Sequence, residues 1–463
     1  MMALVASGYF LCGLPVLLQR LNFLFQLQQS DAINVERALI LLRGDSLYLD
    51  ISKGGPFLYT AYPPLFYWLE APLIKLCSNL WFPGRFLAFV GYLGCGFLMM
   101  GWGWKRWGAV PALLLGSLFL CFPSWARWGT MVRPDTLYLF VNFVAFLLLY
   151  RFTENSKMKW LLFAAGILNG SALLLKQSAY SLVGTYGIYS LAKKRWKDFA
   201  IFFLTAMAVV LPVCVFENNQ SHGLFYDHTV RWLNTGYQWK TLWYWLSNDF
   251  LREVGCLALL VLIVCFFKKT SLLLSVQILI SIFNLMSLGR GGGAENYWLE
   301  FVLYGMFFVG ECYFFSDFRP WVSEKIRAGF SWVFILLMLA GLLMNFRGQW
   351  PDLPTNDSVL TKKEALTIYT LPGEHLALDS DLPLMAGKKI WIQPYEYTAM
   401  VHQGFWAEEP LLQEIRSKKF ATIELYDIPE QYLLPPTVVR EIQKDYHVGI
   451  RKFGRVWYLP NLN

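Results

Sequence analysis

The chain has 463 residues, of which 56% are hydrophobic, 17% aromatic and only 16% charged. A soluble protein carries about a quarter charged residues, so this composition excludes an ordinary soluble domain. Net charge is +8, but the basic residues lie between apolar runs, which reports membrane topology rather than nucleic-acid binding.

Apolar runs near bilayer length recur from the N-terminus to about residue 345 and predict a polytopic membrane protein with about eleven transmembrane helices. Their centres fall near residues 14, 93, 117, 142, 168, 185, 207, 261, 280, 305 and 337. The first run, from Ala3 to Phe25, has no clear small-residue cleavage site and reads as a retained helix rather than a secretory signal. The Leu65 to Leu76 stretch reads either as a further short span or as a helix lying at the interface. Eight cysteines, at 12, 77, 95, 121, 214, 256, 265 and 312, all lie in or beside apolar segments, and no CxxC pair or disulfide framework is visible.

With the N-terminus inside, alternation through the spans collects the basic residues in the inner loops. These are Lys105 and Arg106; Arg151, Lys157 and Lys159; Lys193, Lys194, Arg195 and Lys197; Lys268 and Lys269; and Arg319, Lys325 and Arg327. That is the positive-inside pattern. The same alternation puts the 28–64 loop, the 127–135 turn, Lys176-Gln177, the 217–253 loop, Gly289 to Glu300 and the tail on the outer face.

In chain order, Asp31 comes first. Ser30 or Asp31 is placed to cap a helix over AINVERALILL, and Asp31 reads either as that cap or as a general base aimed outward. Glu36 lies about 140° from it around the helix, so the two need not act together. Tyr62-Pro63-Pro64-Leu65 opens a second helix, and Lys53, Tyr59 and Tyr62 are candidate substrate contacts. Arg127 and Arg133-Pro134-Asp135 stand at an outer mouth, where Arg133 either pairs with Asp135 or binds a phosphate. Lys176-Gln177 either snorkels to headgroups or supplies a cation for a lipid phosphate. Gly289 to Glu300, with Glu295, Asn296, Tyr297 and Glu300, is either a linker or a backbone cradle for an anion or sugar. The 217–253 loop, with His222, His228, Arg231, Trp232, Trp239, Trp243 and Trp245, reads as an interfacial helix without a convincing metal spacing.

The tail loses the long apolar runs. It mixes strand-like pieces (HLALD, KKIWIQP, FATIELYD, VWYLP) with helix-like ones (PLLQEIRSKK, PTVVREIQKDY). This predicts a membrane domain over 1–345 and a small extracytoplasmic α/β domain over 346–463, joined by a polar, proline-bearing linker near Arg347 to Asn356.

These motifs resemble the GT-C glycosyltransferases of the protein O-mannosyltransferase and lipid A aminoarabinose transferase superfamily, above all the lipopolysaccharide galacturonosyltransferase-like bacterial branch. The resemblance spans roughly residues 20–345. Asp31 with Gly44-Asp-Ser-Leu-Tyr48, Tyr62-Pro-Pro-Leu-Phe-Tyr67, Arg85 in PGRFLAF and Arg133-Pro-Asp135 carry it, together with Lys176-Gln-Ser and Asn296-Tyr-Trp-Leu-Glu. It implies a sugar donor on a polyprenyl phosphate, a lipid, glycan or protein acceptor, and inversion on the outer face of the plasma membrane of a bacterial cell envelope. It also implies Asp31 as the catalytic base and Arg133, Lys176, Arg85 and Lys53 as the cations that ease departure of the phosphate. The family often has Asp-Glu where Ala32 follows Asp31 here, which leaves open whether Glu36 serves as the second acid. Some relatives use a divalent metal and others none. The alternatives are a polyprenyl-lipid or glycolipid flippase, which explains spans and outward polar groups but not their gathering on one face, and an inactive assembly partner.

Overall fold

The computed structural model describes residues 1–233, 236–347, 350–428 and 433–461, with only the backbone at Lys53, Ala328 and 345–347. In chain order the helices are α1 (Met2–Asn22), α2 (Gln29–Leu42), α3 (Leu65–Ile74), α4 (Phe82–Arg106), α5 (Ala109–Leu120), α6 (Pro123–Trp128), α7 (Asp135–Glu154), α8 (Trp160–Leu175), α9 (Tyr180–Ala192) and α10 (Trp196–Gln220). Next come α11 (Trp239–Phe267), α12 (Leu272–Gly289) and α13 (Asn296–Phe315), followed by α14 (Glu324–Arg347). Among the described residues eight helices are long and apolar enough to cross a membrane: α1, α4, α7, α10, α11, α12, α13 and α14. The protein is a multi-pass membrane protein. The other three expected centres fall on α5, α8 and α9, of 12, 16 and 13 residues.

The chain forms two compact units. Unit 1 comprises Met1–Leu21, Arg85–Val213 and Gly236–Asp352. Its close packing rests on small residues: a Cβ at Gly91 of α4 would lie 2.4 Å from the backbone of Leu137 on α7. At one end of this unit the basic loops bind one another. Arg106 meets Glu154 at 2.7 Å and Glu311 at 2.9 Å, Lys159 pairs with Asp198, and Lys268 donates to the Ser316 carbonyl at 2.6 Å.

Unit 2 comprises Asn22–Gly84, Cys214–Thr235 and Leu353–Asn463. Its tail adds α15 (Asn356–Tyr369), α16 (Asp381–Met385), α17 (Pro394–His402), α18 (Glu409–Arg416) and α19 (Pro436–Asp445). Four strands, β1 (Glu374–Leu376), β2 (Phe420–Tyr426), β3 (Tyr446–Lys452) and β4 (Arg455–Pro460), form one sheet in the order β1-β2-β4-β3. β1 is parallel to β2; β4 is antiparallel to both β2 and β3. α18 and α19 each begin with a proline in the first turn, which costs no hydrogen bond there. They bury Leu411 and Ile415, and Val438, Val439 and Ile442, against Phe420, Ile423 and Val456. The same core takes in Ile51, Phe57, Tyr59 and Trp232.

Three local expectations change. KKIWIQP is not a strand: it makes a single bridge, Ile392 to Phe57, with Phe57 N–H on the Trp391 carbonyl at 2.7 Å. The 217–253 segment is not one interfacial helix. Leu224–Arg231 is a short helical turn within unit 2, and Trp239 onward is the start of α11. Helix α2 starts at Gln29, with Gln28 as its uncapped N-cap, so neither Ser30 nor Asp31 holds the cap position.

Candidate active site

Unit 2 contributes α2 and α3. Asp31 sits in the first turn of α2 with no exposed surface, and its Oδ2 accepts the Leu27 N–H at 3.1 Å, reaching back over the open end of the helix. A carboxylate in the first turn is favoured by the helix dipole. Tyr67 Oη donates to Asn34 Oδ1 at 3.1 Å and fixes α3 against α2. One turn along each helix from that contact stand Asp31 and Glu70. Glu70 is wholly buried, and neither of its carboxyl oxygens has a hydrogen-bond partner among the described residues. Helix α3 has ten residues, about 15 Å, which is too short to span a bilayer. Burial, and then the negative charge of Asp31, push Glu70 well above the usual carboxylate range.

Glu36 is drawn away from Asp31 into an ion pair with Arg43. Burial nevertheless raises its pKa, with Arg43 and Arg37 opposing. Arg37 is fully buried, and burial pushes its guanidinium down to about 10. Tyr59 stacks on His228 with ring centroids 5.8 Å apart, and Tyr62 offers its carbonyl to Tyr48 Oη at 3.2 Å. His228 accepts the Thr60 N–H at Nδ1 (2.9 Å) and meets the Leu49 carbonyl through Nε2 (3.2 Å), which makes it a buried structural histidine. The side chain of Lys53 lies outside the described residues.

Unit 1 holds the other candidates. Asp135, fully buried at the start of α7, pairs with Lys176 and accepts from Asn296 Nδ2 at 2.9 Å. Lys176 also lies 5.5 Å from the ring centroids of both Tyr138 and Tyr297. The lysine therefore belongs to a buried ion pair instead of snorkelling to headgroups. Glu300, one turn beyond Asn296, accepts from Gln277 Nε2 at 3.0 Å and Asn284 Nδ2 at 2.6 Å. Glu295 binds Arg127 at 3.2 Å and Trp128 Nε1 at 3.2 Å, and the Arg133 guanidinium lies 5.0 Å from the Trp128 ring. Arg85 is buried and donates to the Arg20 carbonyl at 3.1 Å. Gln177 opens the short 3-10 turn Gln177–Ala179.

The glycine stretch differs from an open cradle. A Cβ at Gly289 would lie 2.6 Å from the Tyr237 ring, and one at Gly293 would lie 2.7 Å from the Leu288 carbonyl. Gln238 N–H donates to the Gly289 carbonyl at 2.8 Å. These glycines close a tight turn onto Tyr237. Among the described residues no group of three or more His, Cys, Asp or Glu side chains is placed to hold a metal ion.

Sequence reading passed over Glu70, Arg37, Gln277 and Asn284. The signal for Glu70 was present: a lone acid inside LFYWLEAPLI is costly unless it serves a purpose. Gln277 and Asn284 carried no such signal, because neutral amides in apolar helices are ordinary.

This fold, a polytopic helical body with a small mixed sheet, has solved counterparts. Two solved structures of ArnT from Cupriavidus metallidurans share it, one bound to undecaprenyl phosphate and one in the apo state. Each matches at a TM-score of 0.64 and 14% identity, covering 98% of this chain and 98% of the other. Residues 61–216, about a third of the chain, match the family model for dolichyl-phosphate-mannose-protein mannosyltransferase. Comparison with curated proteins finds no match.

Proposed function

We propose that this protein is an integral-membrane glycosyltransferase that moves a sugar from a polyprenyl-phosphate carrier to an acceptor hydroxyl on the extracytoplasmic face, with inversion. The ArnT fold over nearly the whole chain carries the reading, since one of those ArnT structures binds undecaprenyl phosphate. The match of 61–216 to a mannosyltransferase family that uses a dolichyl-phosphate sugar supports it.

Asp31 serves as general base. The acceptor O–H bond breaks with its proton passing to the Asp31 carboxylate, while the oxygen bonds to the anomeric carbon. The bond from that carbon to the phosphate oxygen breaks, and its electron pair leaves with the lipid phosphate. Arg133, Lys176 and Arg85 are the cations assigned to the phosphate. Lys176 is already neutralised by Asp135, so it acts within that pair and not as a bare charge. Tyr62, Glu295 and Tyr297 are assigned to substrate contacts.

The test is transfer of label from a panel of radiolabelled polyprenyl-phosphate sugars to membrane extract, comparing the parent with Asp31→Asn. The variant keeps the side chain's shape and removes its charge. Transfer in the parent, lowered about 10²- to 10⁴-fold in the variant, is expected for a lost general base. Equal transfer by both would remove Asp31 from that role. Lipid movement across liposomes without transfer would replace the enzyme by a flippase.

A further inference from the structure

The chemistry assigned so far leaves Glu70 unused. It is an acid with no exposed surface, on a helix whose other residues are apolar apart from Tyr67 and Trp68. A buried ionised carboxylate without a donor is costly enough that such groups are normally paired or neutral. Neither Glu70 oxygen has a donor among the described residues. The hydrogen bond between Tyr67 and Asn34 joins α3 to α2, and Glu70 and Asp31 each stand three residues from that contact on their own helix.

We propose that Glu70 is a positioning residue for Asp31: the two carboxyl groups hold one proton between them, and Glu70 keeps it. This rests on the reading of Asp31 as the base. Two close carboxylates do not both ionise readily, and the one without a hydrogen-bond donor takes the proton. The surroundings decide which. Asp31 receives the Leu27 N–H and stands in the first turn of α2, at the positive end of the helix dipole. Glu70 has neither. The neutral acid leaves Asp31 ready to accept the hydroxyl proton.

On α2, Glu36 is bound to Arg43, while the fully buried Arg37 has no hydrogen-bond partner for its guanidinium nitrogens among the described residues. Helix α16, packed against α2, brings Asp381, which is held by Lys362. The charge that acts on Glu70 is that of Asp31.

The test is infrared spectroscopy of the full-length protein in nanodiscs, following the C=O stretch of protonated carboxyl groups against pH, with and without deuteration. At pH 7 the parent minus Glu70→Gln difference should contain one such band. In Asp31→Asn the midpoint of that band should fall instead of rising, since the change removes a like charge, and by about one pH unit for a coupled pair. A parent that shows no band lost in Glu70→Gln has an ionised Glu70, which overturns the proposal. A midpoint that stays put in Asp31→Asn overturns it as well, and that arm needs only the Asp31 variant should Glu70→Gln not fold. Neither readout depends on transfer. Labelled sugar still moving in Asp31→Asn would defeat the base assignment alone, and the infrared result would stand or fall separately.

Discussion

At the residue scale, burial sorts the candidates by what each charge is bound to. His228 shows the consequence for stability. Burial pushes its pKa down to about 3, from an ordinary value near 6.5. The folded state keeps the ring neutral between the Thr60 N–H and the Leu49 carbonyl, while the unfolded chain takes up a proton below about pH 6.5. A depressed pKa contributes stability that is complete above the unfolded value and is lost as pH falls toward the folded one. Lowering the pH from 7 to 5 should therefore cost unit 2 about 2 kcal/mol. Hydrogen exchange of the 45–60 and 224–232 segments should speed up accordingly in the parent, and the acceleration should be much smaller in His228→Gln. Equal pH slopes in the two proteins would remove the histidine as the cause. The sequence offered His228 only as one of two histidines in an aromatic loop, because its partners at Leu49 and Thr60 lie 179 and 168 positions away. Asp135, Lys176, Asn296 and Glu300 were legible as polar residues beside apolar runs. That Lys176 and Asn296 share Asp135 was not, since these pairings also close over long separations.

At the element scale, periodicity and run length placed the helices well, because a membrane span declares itself by length and hydropathy. All eleven expected centres lie on helices. The tail was harder. β3 was missed because its residues are mostly exposed and show no alternation, so Tyr446 read as the last residue of the preceding helix. KKIWIQP alternates like a strand, yet its backbone partner, Phe57, comes from far away in sequence and offers only one bridge. Small residues decide the helix contacts that length cannot. Gly166 and Gly170, one turn apart on α8, face α10: a Cβ at Gly166 would lie 2.7 Å from the Phe202 carbonyl, and one at Gly170 would lie 2.8 Å from that of Ala206. This is close packing through small residues at four-residue spacing. Gly170→Leu should push α8 and α10 apart and cost about 1–3 kcal/mol, whereas Gly101→Ala on α4, with nothing within 4 Å, should be neutral or slightly stabilising. Thermal unfolding of the two variants in the same detergent separates these outcomes. A Gly170→Leu protein that melts with the parent would mean that the two helices do not depend on this contact.

At the scale of the whole molecule, the question is parity. Eleven crossings put the N-terminus and the tail on opposite faces, and three of the eleven rest on α5, α8 and α9, which are shorter than a bilayer-length helix. If any one of them failed to cross, the basic loops after it would move to the other face. The ion pairs of unit 1 argue against that. Arg106 reaches both Glu154 and Glu311, Lys159 reaches Asp198, and Lys268 reaches Ser316. The loops after α4, α7, α9, α11 and α13 are thus bonded together at one end of the unit, which is what a round trip by each pair of helices between them predicts. Positive-inside bias predicts that this end is the cytoplasmic one. A membrane-impermeant maleimide applied to sealed, right-side-out vesicles tests the result through two exposed serines. Ser417→Cys, in the tail, should be labelled at once, and Ser156→Cys, in the loop after α7, only after the vesicles are opened, each measured above the background of the eight native cysteines. Labelling in the reverse order would invert the molecule and place the proposed chemistry on the cytoplasmic face, where the basic loops were expected. Labelling of both in sealed vesicles would mean that an odd number of the helices between Ser156 and the tail fails to cross, with α8 and α9 the first to re-examine.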